Sequence, residues 1–254
     1  MLQKRILIPL PTYGFDPTEV AIPWRLFSEK YEVVFMTPNG DKGTPDSLMV
    51  TGEKLGILKS VLMARKDAVD AYYEMKKNVS FCNPIKYEDA LEGVFDALYL
   101  PGGHDKKVKE YLESEVLQKL VVDFFVAKKP VGAMCHGVIV AARSINPDTG
   151  KSVISNYKTT CLLKSQEQLA YNLTKLWLKD YYLTYPSQMV EDEVRAVLSD
   201  KNNFIKGALP LFRDSPVQLS RGFSVRDKNY LSARWPGDVY SFSFAFVAML
   251  EEAN

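Results

Sequence analysis

The sequence predicts an α/β protein whose central sheet is mostly parallel and carries helices on both faces. Short apolar runs alternate with longer amphipathic stretches along most of the chain, and Gly or Pro closes several of the apolar runs. The chain has 254 residues, of which 46% are hydrophobic and 25% charged, as in an ordinary globular protein. This length favours one elaborated domain over two.

The first half of the chain contains the clearest start signal for a helix. Asp16 suits the N-cap, Pro17 suits the first helical position and Glu19 stands three residues after the cap, which predicts a helix over residues 16–28. The other elements predicted in this half are strands at 5–9, 32–36, 97–100 and 131–134, a loop or short hairpin at 41–52, and helices at 53–77, 89–91 and 113–127.

The pattern is weaker in the second half. We expect helices at 169–182 and 238–252, a late strand at 229–234, either a helix or a strand at 191–198, and irregular chain at 200–216. We interpret residues 1–254 as a single domain with insertions at about 41–80 and 162–215. These insertions exceed what a minimal core needs, and we expect them to form a cap over the cleft that limits substrate size.

Composition argues against several classes of function. The net charge is +1 and the lysine pairs are scattered, so no nucleic-acid partner is predicted. Three cysteines without a C-x-x-C pair fit a reduced compartment, and two histidines without a cluster predict no metal or cofactor. No apolar run approaches the roughly 18 residues that span a membrane, and the first run is broken by Pro9, so we expect a cytoplasmic protein without a membrane partner.

The most informative segment lies around Cys135. An apolar run ends at Cys135 and His136, and Gly137 then opens a run of small residues with helical character. This order predicts a strand, a sharp turn and a helix, which would hold the Cys135 side chain at the sheet edge beside a helix N-terminus. Free N–H groups there stabilise a thiolate, so we expect Cys135 to be a reactive thiol with a lowered pKa rather than a core cysteine.

The positions of the histidines limit the chemistry. His104 and His136 are the only two, and none follows His136. Papain-like proteases, class I glutaminases and α/β-hydrolases all need a later histidine, so the sequence argues against all three classes of enzyme. What remains is Cys135 with its neighbour His136 and a carboxylate. Gly102 and Gly103 end the adjacent predicted strand, where backbone N–H groups can approach an oxyanion.

Two motifs in this order resemble the DJ-1/PfpI (ThiJ/PfpI) superfamily, and in particular its larger bacterial chaperone and glyoxalase III-like branch. They are Leu100–His104 and Ala133–Gly137, and two further segments, Gly14–Glu19 and Arg234–Asp238, also match. The similarity covers about residues 5–160 and 225–252. It implies a class I glutamine amidotransferase-like fold, a flavodoxin-like three-layer α/β sandwich.

The resemblance also assigns roles to residues. It implies that Cys135 is the nucleophile, that the Glu19 carboxyl hydrogen-bonds its sulfur, and that His136 is the base. Backbone N–H groups near Gly103 and His136 would form the oxyanion hole, and Glu167 lies near the place of a possible third acid. From the residues alone, Glu19 can equally complete the helix cap and His136 can be a structural hydrogen-bonding group. We expect a raised pKa for Glu19, because a carboxylate beside a thiolate is repelled.

The family further implies an activity. We expect a cysteine-dependent enzyme that acts on small carbonyl compounds, as a glutathione-independent glyoxalase or deglycase, or on short peptides as an amidase or peptidase. A homodimer without cofactor is expected. The alternative is a non-enzymatic stress-response chaperone or a redox sensor whose cysteine is oxidised.

Overall fold

A seven-stranded sheet forms the centre of the protein in the computed structural model, which describes residues 3–253. In chain order the strands are β1 Arg5–Pro9, β2 Tyr13–Phe15, β3 Glu32–Thr37, β4 Thr44–Pro45, β5 Ile85–Lys86, β6 Ala97–Leu100, β7 Val131–Met134, β8 Ile145–Asn146, β9 Lys151–Ser152, β10 Ser224–Asp227 and β11 Tyr230–Ala233. The central order is β10-β11-β7-β6-β1-β3-β5, and only the pair β10–β11 is antiparallel. The predicted fold class is confirmed.

Helices cover both faces of this sheet. They are α1 Pro17–Phe27, α2 Ser47–Thr51, α3 Lys59–Leu62, α4 Lys66–Met75, α5 Val79–Cys82, α6 Lys109–Leu112, α7 Glu115–Val126, α8 Gly137–Arg143, α9 Lys164–Leu178, α10 Val190–Val197 and α11 Val239–Glu252. Within residues 3–253, none of them combines the length and the apolar character that crossing a membrane requires.

Two hydrophobic cores, one on each side of the sheet, hold the three layers together. Leu7 packs into the core with α7, α8 and α10, whereas its neighbours Ile6 and Ile8 pack into the core with α1, α4 and α11. All three side chains are fully buried. Strands that are covered on both faces have continuous apolar sequences, which is why the sequence predicts these short strands.

The helix predicted over 53–77 is broken in the structure. A short 3₁₀ turn and α3 precede α4, and the chain leaves helical geometry at Met63. The break is stabilised because Ala64 N–H donates to the carbonyl of Met49 at 2.9 Å, and Arg213 Nη1 donates to the carbonyl of Met63 at 3.0 Å. The ambiguous segment at 191–198 is helical and corresponds to α10.

Candidate active site

Cys135 lies at the sharp turn between β7 and α8, as the sequence predicts. Its φ is +55°, in the left-handed region that costs a non-glycine residue roughly 1–2 kcal/mol. The turn is tight because α8 starts against the end of β6: a Cβ atom at Gly137 would lie only 2.2 Å from the carbonyl oxygen of Leu100. The fold therefore holds the thiol in one place at the carboxyl edge of the sheet.

The N-terminus of α1 places Glu19 beside this thiol. The Asp16 carboxylate caps the helix by accepting from the backbone N–H groups of Thr18 and Glu19 at 2.7 and 3.1 Å. Glu19 Oε2 accepts from the N–H of Gly102 at 2.8 Å, and the same carboxyl interacts with the Cys135 thiol. Glu19 belongs to the site and does not complete the helix cap, because the N–H of Asp16 donates to the carbonyl of Gly102 at 3.0 Å instead.

Burial decides the protonation states of these two groups. Burial of Glu19, followed by the nearby charge of Asp16, raises the pKa of the Glu19 carboxyl well above its usual range, as expected. Burial, then Glu19 and Asp16, also raises the pKa of the Cys135 thiol, and the N–H of His136 opposes this only in part. The expectation of a lowered Cys135 pKa was wrong, because desolvation outweighs the helix N-terminus.

The His136 ring is oriented so that it can accept the thiol proton. Its Nδ1 lies 3.4 Å from the sulfur of Cys135, and its Nε2 lies 3.0 Å from Thr184 Oγ1. The hydroxyl of Thr184 donates its single proton to the carbonyl of His104 at 2.7 Å, so it can only accept from His136. This fixes the proton on Nε2 and leaves the lone pair of Nδ1 facing the sulfur.

The imidazole of His136 is neutral in this environment. Burial, followed by the proximity of His104, lowers its pKa to about 3. The partner of its Nε2 is the neutral hydroxyl of Thr184, which does not stabilise an imidazolium as a carboxylate would. A thiolate–imidazolium pair is therefore unfavourable in this site.

Two tyrosine rings pack against His104, whose carbonyl accepts from Thr184 at the site. His104 stacks on Tyr182, with ring centroids 4.6 Å apart, and meets the edge of Tyr181 at 4.8 Å. The hydroxyl of Tyr181 donates to the carboxylate of Asp46. Tyr181 and Tyr182 belong to the late insertion and Asp46 to the earlier one. Both insertions therefore contribute groups to the surroundings of His104, and their role as a cap that limits substrate size stays a prediction. Cys135 is only 6% exposed.

Glu167 bonds to the start of α10 and not to the His136 ring, and its role as a third acid stays a prediction. Its Oε2 accepts from the N–H of Val190 at 3.1 Å, at the start of α10, and burial raises its pKa to about 7. The partner of His136 Nε2 is instead Thr184. Thr184 was missed in the sequence because it lies in irregular chain 48 residues after His136 and carries no local signal. Gly103 lies against the loop before α1, close to the carbonyl of Gly14.

The other two cysteines lie outside the site. Cys161 is fully buried in the core beneath α8 and α10, and burial raises the pKa of its thiol. The sulfur of Cys82 donates to the carbonyl of Lys76 at 3.1 Å. Neither thiol contacts Glu19 or His136, which makes both useful as controls.

Fold and site together define a protein with a buried cysteine at a sharp strand-to-helix turn of a flavodoxin-like sheet. A ThiJ/PfpI family-like model matches residues 10–202, so the chain belongs to that family. An uncharacterized protein of Schizosaccharomyces pombe is 31% identical over 142 residues, which cover 54% of this chain and 50% of that protein. The chain thus spans about half the length of this curated relative.

Solved structures have the same fold. Glyoxalase III from Candida albicans superimposes with a TM-score of 0.71 at 18% identity, covering 97% of each chain. Drosophila melanogaster DJ-1beta gives a TM-score of 0.55 at 13% identity, covering 99% of this chain and 95% of that one. At these identities the likeness concerns the fold, and the chemistry has to be argued from the site.

Proposed function

We propose that this protein is a cysteine-dependent enzyme that acts on small carbonyl compounds, in the manner of a glutathione-independent glyoxalase or deglycase. The observation that carries the proposal is the lone pair of His136 Nδ1, 3.4 Å from the sulfur of Cys135. The similarity in fold to a glyoxalase III supports the same reaction class.

The first step is addition of the thiol to an aldehyde carbon. The sulfur–carbon bond forms as the carbonyl π bond breaks, and the thiol proton passes to Nδ1 of His136 and then to the new alkoxide, which gives a hemithioacetal. Coupling both events avoids an isolated thiolate in a dry site. The protonated carboxyl of Glu19 serves as a proton donor beside the sulfur instead of a competing negative charge.

The second step moves hydrogen between adjacent carbons. For a 2-oxoaldehyde, His136 removes the proton from the carbon bonded to sulfur and the neighbouring carbonyl carbon receives one, which leaves a thioester and a hydroxyl group. Water then cleaves the thioester, releasing a 2-hydroxy acid and restoring the thiol. The net reaction consumes one water and needs no oxidant or cofactor.

The cap favours small substrates over peptides. Cys135 is 6% exposed and His136 is fully buried. A peptide chain needs an open cleft along both sides of its scissile bond, whereas a small aldehyde needs only a transient opening. We therefore favour an activity on small carbonyl compounds over an amidase or peptidase activity.

Turnover of methylglyoxal tests the proposal. We expect Cys135→Ala to abolish conversion to lactate and Cys161→Ala, the matched control, to retain it. His136→Ala should lower kcat by roughly 10²–10⁴-fold, the usual contribution of a general base. Glu19→Gln, which can still donate a proton, should be milder than Glu19→Ala. Equal rates for wild type and Cys135→Ala would rule out this chemistry.

A chaperone role is the second candidate, and one surface favours it. Several large apolar side chains of the late irregular segment are exposed, namely Leu209, Leu211, Phe212 and Val217. Such surface can hold unfolded chains. Suppression of the aggregation of a heat-unfolded client protein, lost when Leu211 and Phe212 are changed to Ser and retained in Cys135→Ala, would support it. Homodimerisation and a cytoplasmic location remain part of the proposal.

A further inference from the structure

The irregular chain that carries Thr184 is anchored by the residue that follows it, Tyr185. The Tyr185 hydroxyl donates its single proton to Glu113 Oε1 at 2.6 Å and accepts from Arg143 Nη1 at 2.9 Å. Its ring also contacts two cations, with the ring centroid 4.6 Å from Lys109 Nζ and 4.8 Å from Arg143 Cζ. Both the ring and the hydroxyl of Tyr185 are thus held by groups outside the late insertion.

Arg143 is the centre of this arrangement. Its Nε and Nη2 donate to the two carboxylate oxygens of Glu193 on α10 at 2.6 and 3.1 Å, and its Nη1 also donates to the carbonyl of Leu112 at 3.3 Å. The side chains of Arg143 and Glu193 are only 23% and 17% exposed. A planar guanidinium with this many partners is fixed in direction, unlike an ammonium group on a flexible stem. We call the following five side chains the Tyr185 clamp: Lys109, Glu113, Arg143, Tyr185 and Glu193.

The clamp is built on the helix that also carries His136. His136 is the N-cap of α8 and Arg143 is the last residue of that helix. Seven residues make about two helical turns, so the two side chains leave the same face of α8 roughly 10 Å apart. Tyr185 is bound at one end of this face, and Thr184 Oγ1 lies 3.0 Å from His136 Nε2 at the other end. Consecutive residues of the late insertion are therefore fixed to α8 at two points.

The position of the Thr184 hydroxyl needs such an anchor. Residues 183–189 form neither helix nor strand, yet this hydroxyl has to accept from His136 Nε2 and donate to the carbonyl of His104 at 2.7 Å. Hydrogen bonds weaken steeply with distance and angle, and a displacement of about 1 Å in a site can cost 10²-fold in rate. The contacts of Tyr185 supply the restraint that regular secondary structure does not provide here.

We propose that Tyr185 and Arg143 are positioning residues of the candidate active site, which act only through the hydroxyl of Thr184. They keep this hydroxyl on Nε2 of His136, and the lone pair of His136 Nδ1 then stays directed at the sulfur of Cys135. The effect on turnover rests on the proposed function, whereas the effect on the tautomer of His136 does not. The two effects are therefore measured separately.

Nitrogen-15 NMR of histidine-labelled protein at pH 7 measures the tautomer. In wild type we expect the ring proton of His136 on Nε2. In Tyr185→Ala we expect about a tenth or more of the molecules to carry it on Nδ1, because the hydrogen bond to Thr184 no longer holds it. Arg143→Lys keeps the positive charge but loses the planar fork, so it should resemble Tyr185→Ala. Tyr185→Phe should lie between wild type and Tyr185→Ala, because the ring keeps its two cations.

Tyr157→Phe is the matched control for loss of a tyrosine hydroxyl. Tyr157 is also half-buried, its ring centroid lies 4.4 Å from Lys228 Nζ, and its hydroxyl donates to Asn229 at 3.1 Å. It makes the same kinds of contact as Tyr185 but does not adjoin Thr184. We expect the His136 spectrum of Tyr157→Phe to match that of wild type.

Turnover of methylglyoxal separates positioning from a general loss of stability. We expect Tyr185→Ala to lower kcat by roughly 10²-fold, as Thr184→Val does, and to change KM by less than about twofold. Adding Tyr185→Ala to Thr184→Val should lower kcat no further, because the hydroxyl through which Tyr185 acts is already absent. If the two losses multiply, Tyr185 acts by another route and the proposal is overturned.

An unchanged His136 spectrum in the folded variants of Tyr185 and Arg143 would also overturn the proposal, as would a wild-type proton on Nδ1. If Tyr185→Ala does not fold, Tyr185→Phe and Arg143→Lys are judged by the same criterion. If wild type does not convert methylglyoxal, the proposed function fails, whereas the NMR spectra still decide whether the Tyr185 clamp positions Thr184.

Discussion

Replacing Thr184 by Val tests how the site sets the tautomer of His136. Valine keeps the shape of threonine but removes the hydroxyl that accepts from His136 Nε2 and donates to the carbonyl of His104. All of the Thr184 side chain is buried, so water cannot readily replace the lost oxygen. Without an acceptor at Nε2, the ring proton can move to Nδ1 and face the sulfur of Cys135.

The magnitude follows from the two groups left without a partner. Each buried polar group that loses its hydrogen bond costs about 1–3 kcal/mol, so we expect the free energy of unfolding to fall by about 2–6 kcal/mol. Loss of the base-competent tautomer should lower kcat for methylglyoxal by about 10²-fold, the lower end of a general-base contribution. Thr184 is a positioning residue, because it acts only through His136.

Steady-state turnover and urea unfolding provide the assay. Thr184→Ser keeps the hydroxyl and should recover most of the kcat lost in Thr184→Val. Thr174→Val is the matched control: Thr174 is also fully buried, but its hydroxyl bonds only to the carbonyl of Ala170 within α9, at 2.7 Å. The reasoning is refuted if folded Thr184→Val turns over methylglyoxal at the wild-type rate, or if Thr184→Ser is as slow as Thr184→Val.

Three further outcomes are expected. The pKa of His136 is about 3 in the folded protein and near 6.5 in the unfolded chain, so the unfolded chain binds the extra proton. The free energy of unfolding therefore falls as the pH drops from 6.5 toward 4. In urea titrations, His136→Gln should reduce the slope of that decrease by about 1.4 kcal/mol per pH unit. Gly137→Ala should destabilise by about 3 kcal/mol because its Cβ would overlap the end of β6, whereas Gly150→Ala, with open space around it, should cost about 1 kcal/mol in the same unfolding assay. Tyr182→Ala should raise the rate of Cys135 alkylation by iodoacetamide at least about tenfold by opening the cap, and an unchanged rate would show that the ring does not restrict access.

The fold could be predicted because its signals are local. Strands β1, β3, β6 and β7 are short apolar runs buried on both faces, and helix α1 begins at a cap and a proline that sequence rules recognise. The spacing of apolar residues alone predicts helices less accurately. The helix expected over 53–77 is interrupted, because contacts from Met49 and Arg213 stabilise a break that no local pattern encodes.

Only those residues of the candidate site that belong to recognisable sequence motifs could be predicted. Cys135, His136 and Glu19 lie together because a strand end, a turn and a capped helix bring them there. Thr184 could not be predicted as the partner of His136, because it lies in irregular chain of the late insertion. Only its place in the chain suggested Glu167 as a third acid, and its carboxyl bonds to Val190. The direction of the Cys135 pKa shift depends on how deeply the cap buries the thiol, which periodicity does not report.

The central claim is that His136 presents a neutral Nδ1 lone pair to the sulfur of Cys135. Nitrogen-15 NMR of histidine-labelled protein tests it directly, because the chain contains only two histidines and His104→Gln identifies the second. At pH 7 we expect His136 to carry its proton on Nε2, with Nδ1 unprotonated, and to stay neutral down to pH 5. A proton on Nδ1, or an imidazolium that titrates near pH 6.5, would contradict the account.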